Sequence, residues 1–144
     1  MLIIRKIVKT DAGALGSLAA RVFTMPWSVQ AFEELAQDEN SLFLVAEEEG
    51  CILGGCGLTH ILEEGDIHNV MVEPSRQGKG LATRLMEQLL EEGGKLGIKE
   101  FTLEVRVSNA SAIRVYEKLG FVSEGVRPRF YEQPVEDALI MWKR

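Results

Sequence analysis

Cysteine is scarce in this chain. Cys51 and Cys56 are the only two in 144 residues, a usage that suits a reducing compartment. With His60 and His68 they make four possible metal ligands. The gaps match no usual zinc spacing, and the four lie along strand-like sequence whose side chains alternate between faces, so no metal is expected. No apolar run approaches the ~20 residues of a membrane span. Met1 to Ile4 before Arg5 and Lys6 is too short for a signal-peptide core, so the chain is read as cytoplasmic. An excess of basic charge is also missing. A net charge of −6 argues against direct nucleic-acid binding and against an anionic membrane surface, and is compatible with a basic peptide as partner. No repeat, low-complexity tract or Pro/Gly/Ser-rich linker interrupts the sequence, so residues 1–144 are expected to form one domain.

The stretch from Val70 to Leu85 organises the rest. An apolar strand ends at Pro74, a basic loop with Gly78 and Gly80 follows, and Leu81, Leu85, Leu89 and Leu96 then recur at helical spacing. Strand, glycine loop and helix N-terminus aim backbone N–H groups and a helix dipole at one point, which is an anion site. Arg76, Lys79 and Arg84 add positive charge to an otherwise acidic chain. The stretch reads as a cradle for a pyrophosphate; a plain turn before a helix has the same letters.

Read in order, Leu2 to Val8 is a strand, and Thr10 or Asp11 can cap a helix from about Ala12 to Phe23. Met25-Pro26-Trp27-Ser28 breaks that helix, and Ser28 can cap another through Leu35. Ser41 to Glu48 and Cys51 to Leu62 form a hairpin about Glu49-Gly50. Gly54, Gly55 and Gly57 suggest bulges or a close neighbour. Glu63 to Asp66 reads as a turn, with a strand from His68 to Val72. After the loop come a helix from Gly80 to Leu96, a strand from Phe101 to Arg106, and a helix capped by Ser108 or Asn109 and stopped by Gly120. Phe121 to Tyr131 and Glu136 to Trp142 close as a hairpin around Pro134. The fold class is α+β: a mixed, mostly antiparallel sheet with helices on both faces, in which the glycine-loop helix crosses over between parallel strands.

Three residues carry candidate chemistry. Glu104 alternates with Leu103 and Val105 on its strand; a carboxylate there is costly unless paired or near water. It is either a working base or the ion-pair partner of Arg106. Asn109 and Tyr116 follow on the next helix, where they could equally be a cap and a half-buried phenol. Their succession after a phosphate loop, on one βαβα unit, favours a site.

Gln77-Gly78-Lys79-Gly80-Leu81-Ala82 resembles the acetyl-coenzyme A loop of the GCN5-related N-acetyltransferases, the GNAT superfamily. Asn109, Ala112, Tyr116 and Gly120-Phe121 resemble its next segment. Pro26-Trp27-Ser28, Leu103-Glu104-Val105-Arg106, Ser108-Asn109 and Glu136-Asp137-Ala138 with Met141 look like the RimI family, whose members acetylate the N-terminal alanine of a small-subunit ribosomal protein. That family usually has two adjacent tyrosines before the last strand; here Phe130 precedes Tyr131. The resemblance implies acetyl-CoA as cosubstrate, a protein N-terminus as acceptor and attack in a ternary complex. Val70, Met71 and Val72 would pair with the pantetheine arm through backbone groups. Gln77, Gly78, Lys79, Gly80, Leu81, Ala82 and Thr83 would take the pyrophosphate, and Asn109 the cofactor arm. Glu104 would act as general base and Tyr116 as general acid, with Trp27 and Tyr131 flanking the acceptor.

Rival readings use the same residues. A dinucleotide-dependent oxidoreductase would also open a helix with Gly78-x-Gly80, but its third fingerprint position is Thr83 and no second nucleotide-binding half follows. A non-catalytic acyl-CoA sensor would not need Glu104 and Tyr116. Other N-termini or small amines are alternative acceptors. Oligomeric state is not legible in the residues.

Overall fold

The computed structural model describes residues 1–144. Seven strands form one sheet: β1 (Leu2–Lys6), β2 (Ser41–Glu48), β3 (Cys51–Ile61), β4 (Glu64–Val72), β5 (Glu100–Arg106), β6 (Val122–Tyr131) and β7 (Glu136–Lys143). Their order across the sheet is β1-β2-β3-β4-β5-β7-β6. Every neighbouring pair is antiparallel except β4 with β5, as a crossover through a helix requires. The helices are α1 (Ala12–Val22), α2 (Val29–Gln37), α3 (Leu81–Lys95) and α4 (Ala110–Lys118). None is long and apolar enough to cross a membrane.

Strand alternation distributes the core between two faces. Phe43 and Val45 of β2 join Leu15, Leu18, Phe32 and Met71 under α1 and α2. Leu42, Leu44 and Ala46 point the other way, joining Leu85, Leu89, Leu103, Val105 and Tyr116 under α3 and α4. The glycines of β3 serve a close neighbour. A Cβ on Gly57 would stand 2.3 Å from the Phe43 ring, and one on Gly55 2.8 Å from it. Phe43 therefore lies against bare backbone.

Two local expectations are corrected. Asp11 heads α1 without a side-chain cap. Its carboxylate instead accepts two hydrogen bonds from the Arg5 guanidinium at 2.9 Å and one from Val8 N–H at 2.8 Å. The bidentate charged pair outcompetes a neutral cap. The expected turn over Glu63–Asp66 is shorter: β4 begins at Glu64, and the chain reverses at Leu62-Glu63 with Leu62 at φ +54°. Gly65 and Asp66 look like turn letters, yet they are paired strand residues. That one shift moves Asp66 from a loop into the sheet.

Candidate active site

The sheet is incomplete at its parallel pair. β4 and β5 pair only through Glu64–Glu100, Gly65–Phe101 and Asp66–Thr102. Both strands continue past this point without pairing to each other, β4 to Val72 and β5 to Arg106. A β-bulge contributes to the parting. Gly55 pairs with Met71 and Gly57 with His68, so Asn69 and Val70 together oppose Cys56, and Asn69 adopts φ +55°. A cavity of about 790 Å³ fills the gap, lined from both sides by residues of β4 and β5.

One end of the cavity is the glycine loop. Pro74–Arg76 form a 3-10 turn, Gly78 and Gly80 take φ +78° and +84°, and α3 begins at Leu81. No atom lies within 4 Å of where a Cβ on either glycine would stand, so left-handed backbone rather than crowding requires glycine here. No side chain caps α3, leaving its first N–H groups free for an anion. Gln77 spends its amide inside the loop, donating to the Val72 carbonyl at 3.2 Å. Arg76 is engaged by Glu48 at 2.7 Å. Gln77, Gly78, Gly80, Leu81, Ala82 and Thr83 line the cavity with Val70, Met71 and Val72, whereas Lys79 does not. Asn109 lines it too, while its Oδ1 accepts from Ala112 N–H at 3.3 Å as the cap of α4.

Glu104 and Tyr116 enter this cavity from opposite faces of the sheet. Leu103 and Val105 pack with Tyr116 on the α3–α4 face, and Glu104 points to the α1–α2 face by alternation. Both line the gap between the parted strands. Burial, with Cys56 and Tyr131 adding to it, drives the Tyr116 phenol well above its ordinary pKa. It is therefore a protonated donor at neutral pH. Glu104 does not pair with Arg106. Its ionic neighbour is Arg127 of β6, Nε to Oε2 at 3.7 Å. Arg106 instead donates to the carbonyls of Glu132 and Pro134 at 2.9 Å and to Glu136 at 3.2 Å. Five donors in a rigid fork can bind one turn at several points. That leaves Glu104 facing the cavity.

The α1–α2 side of the cavity has aromatic walls. Trp27 stacks on His68, ring centres 4.9 Å apart and 24° from parallel. Tyr131 lies beneath the Arg106 guanidinium at 4.6 Å and meets Phe130 edge-on at 5.0 Å. Burial first, then the Glu104 carboxylate, push the Tyr131 phenol up to about 12. Trp27 and Tyr131 thus share one cavity with Glu104, although more than a hundred residues separate them in the chain.

Several lining residues were not singled out in the sequence. His68 appeared only as a stray metal ligand, yet it is a ring in the aromatic wall. No three of Cys51, Cys56, His60 and His68 come together. The Asn69 amide donates to His68 Nδ1 at 3.0 Å, which leaves Nε2–H to face Thr59 Oγ1 at 3.4 Å. Burial lowers the imidazole to about 4, so the wall is neutral. Asp66 and Arg127 also border Glu104. The alternation of Asp66 with His68 was the available signal, hidden by the turn-like letters Gly65-Asp66 and ended by the bulge at Asn69-Val70.

The acetyltransferase (GNAT) family model matches residues 13–121. The chain is 32% identical to a putative ribosomal protein bS18-alanine N-acetyltransferase of Bacillus subtilis, over 96% of this chain and 93% of that one. It is 34% identical to the ribosomal protein bS18-alanine N-acetyltransferase of Escherichia coli, over 96% and 94%. The crystal structure of the ribosomal-protein-S18-alanine N-acetyltransferase from Escherichia coli superposes with a TM-score of 0.92, covering 99% of this chain and 93% of that one.

Proposed function

Because this chain belongs to the GNAT acetyltransferase family, we propose that its cleft moves the acetyl group of acetyl-CoA to a protein N-terminal α-amine, the N-terminal alanine of a small-subunit ribosomal protein above all. One observation carries the reading: the sheet parts between β4 and β5, and a carboxylate and a protonated phenol reach the gap from opposite faces. Full-length similarity to two bS18-alanine N-acetyltransferases supports the choice of acceptor.

In this reading the cosubstrate's pyrophosphate sits against the N–H groups from Gly78 to Thr83, with the pantetheine arm along Val70–Val72 and beside Asn109. The acceptor enters between Trp27 and Tyr131. An amine attacks only when neutral. With an ordinary pKa near ~8, roughly a tenth of an α-amine is already neutral at pH 7, far more than of a lysine near ~10.4. Glu104, directly or through one water, takes the proton as nitrogen bonds to the acetyl carbon. The carbon–sulfur bond then breaks, and the departing thiolate, whose conjugate acid is near ~8.5, receives a hydrogen bond or proton from Tyr116.

The test is coenzyme A release from acetyl-CoA, assayed against peptides with varied first residues, spermidine and free lysine. An alanine-first basic peptide should outpace the same peptide with its N-terminus blocked and a lysine left free. Equal rates on the two, or faster turnover of spermidine than of any peptide, would reject the N-terminal acceptor while leaving acetyl transfer intact.

A further inference from the structure

Asp66 sits where the split begins. Its register partner on β5 is Thr102, two residues before Glu104, so Asp66 and Glu104 stand on the same face of the sheet. From strand spacing and rise their Cα atoms are at least roughly 8 Å apart. The carboxylate lines the acceptor side of the cavity with Glu104, Trp27 and Tyr131. The cations nearby are spoken for. Arg106 is held by Glu136 and two carbonyls of the β6–β7 turn, and Arg127 faces Glu104. Asp66 forms no ion pair of its own and stands exposed at the open rim of the cleft. Partial desolvation there, then Glu104 and Glu64, raise its pKa above the ordinary aspartate value, with Arg127 acting the other way. A cation brought by a ligand would meet an accessible carboxylate that has no fixed partner.

We propose that Asp66 is a specificity-determining residue that receives a second positive charge of the acceptor, carried on the side chain of the residue after the acetylated one. The inference rests on the N-terminal acceptor reading above. With the reacting nitrogen at Glu104, the Cα of the second residue lies ~3.8 Å beyond that of the first, and a lysine or arginine side chain from there can turn along the sheet face to Asp66. A guanidinium would meet the carboxylate in a charge-assisted pair, and its stem would lie against the aromatic wall. A neutral side chain of the same length would leave Asp66 among Glu104, Glu64 and Arg127 with no ion pair of its own.

The experiment compares two peptides identical except at the second position, Ala-Arg and Ala-citrulline, which share shape but differ in charge. For the wild type, kcat/KM should favour arginine about ten-fold, most of it in KM, the size of one charge-assisted bond at a partly open site. In Asp66→Asn that ratio should fall to below about three. In Glu64→Gln, which removes a neighbouring carboxylate from the same strand, it should persist. A variant that merely disturbed the strand would slow both peptides together and leave the ratio intact, and that result would overturn the inference. So would a wild type that turns over both peptides equally well. Turnover of neither peptide by the wild type, with release of coenzyme A on a small amine, would instead overturn the N-terminal reading and this inference with it.

Discussion

Glu104 is a carboxylate on a buried strand whose one ionic neighbour stands at 3.7 Å on an exposed arm. Glu104→Gln keeps the shape and removes the proton acceptor. Turnover should fall by roughly 10²–10⁴-fold with acetyl-CoA affinity little changed, measured by steady-state kinetics and calorimetry. Joint loss of folding and cofactor binding would make it a structural residue. His68 gives a stability prediction. Its folded pKa of about 4 lies below the ordinary 6.5, so the unfolded chain takes up the proton first as pH falls. The contribution is fully present above about pH 6.5 and is lost progressively towards pH 4. Denaturant titrations at pH 7 and pH 4.5 should show His68→Phe losing about 2 kcal/mol less stability than the wild type over that interval. Glu104 and Tyr116 stood out by their succession after the glycine loop on one βαβα unit, not by either letter alone, and both line the one cavity. Asp66 was not, because the reversal before it uses a left-handed leucine that no turn rule anticipates.

Among the elements, α2 and α3 show how the ends of helices set the site. Ser28 accepts from Ala31 N–H at 3.1 Å and heads α2 directly after Trp27. Ser28→Ala should cost about 1 kcal/mol of stability and raise KM for the acceptor more than for acetyl-CoA, since Trp27 is anchored through that first turn. The N-terminus of α3 is set by Gly80 instead. Gly80→Val forces a branched residue into φ +84°, a region costly for any side chain and worst for a β-branched one. Acetyl-CoA affinity should drop at least about ten-fold in a variant that remains folded by circular dichroism. Unchanged affinity would put the phosphates elsewhere. These helices were readable in advance because breakers and caps bracket them: Pro26 and Ser28 before α2, Gly78 and Gly80 before α3. Periodicity supplied the rest. The start of β4 was misread, since period-2 alternation resolves poorly next to Gly65.

For the whole molecule, a ligand that fills the gap between β4 and β5 binds the folded state alone. Acetyl-CoA at 100 times its Kd should stabilise by about 2.7 kcal/mol, a rise in Tm of roughly 5–10 °C for a chain of this size, and NAD should give no shift. A shift with NAD would revive the dinucleotide reading. The mixed sheet and its two helical layers could be inferred from element order. The split could not, because it depends on where a parallel pairing stops, at Asp66 and Thr102, and no letter in either strand marks that point. A strand that loses its neighbour presents a row of bare amides and carbonyls, the kind of edge on which chains aggregate. Here that edge is recessed: β5 stands across from it, α3 and α4 cover one side, and the aromatic wall narrows the other. A second polypeptide strand with side chains is too broad to enter. A slender, flexible thread with amide groups of its own is not. The same recess that admits a pantetheine-like arm thus keeps an open sheet edge from becoming a seam between molecules.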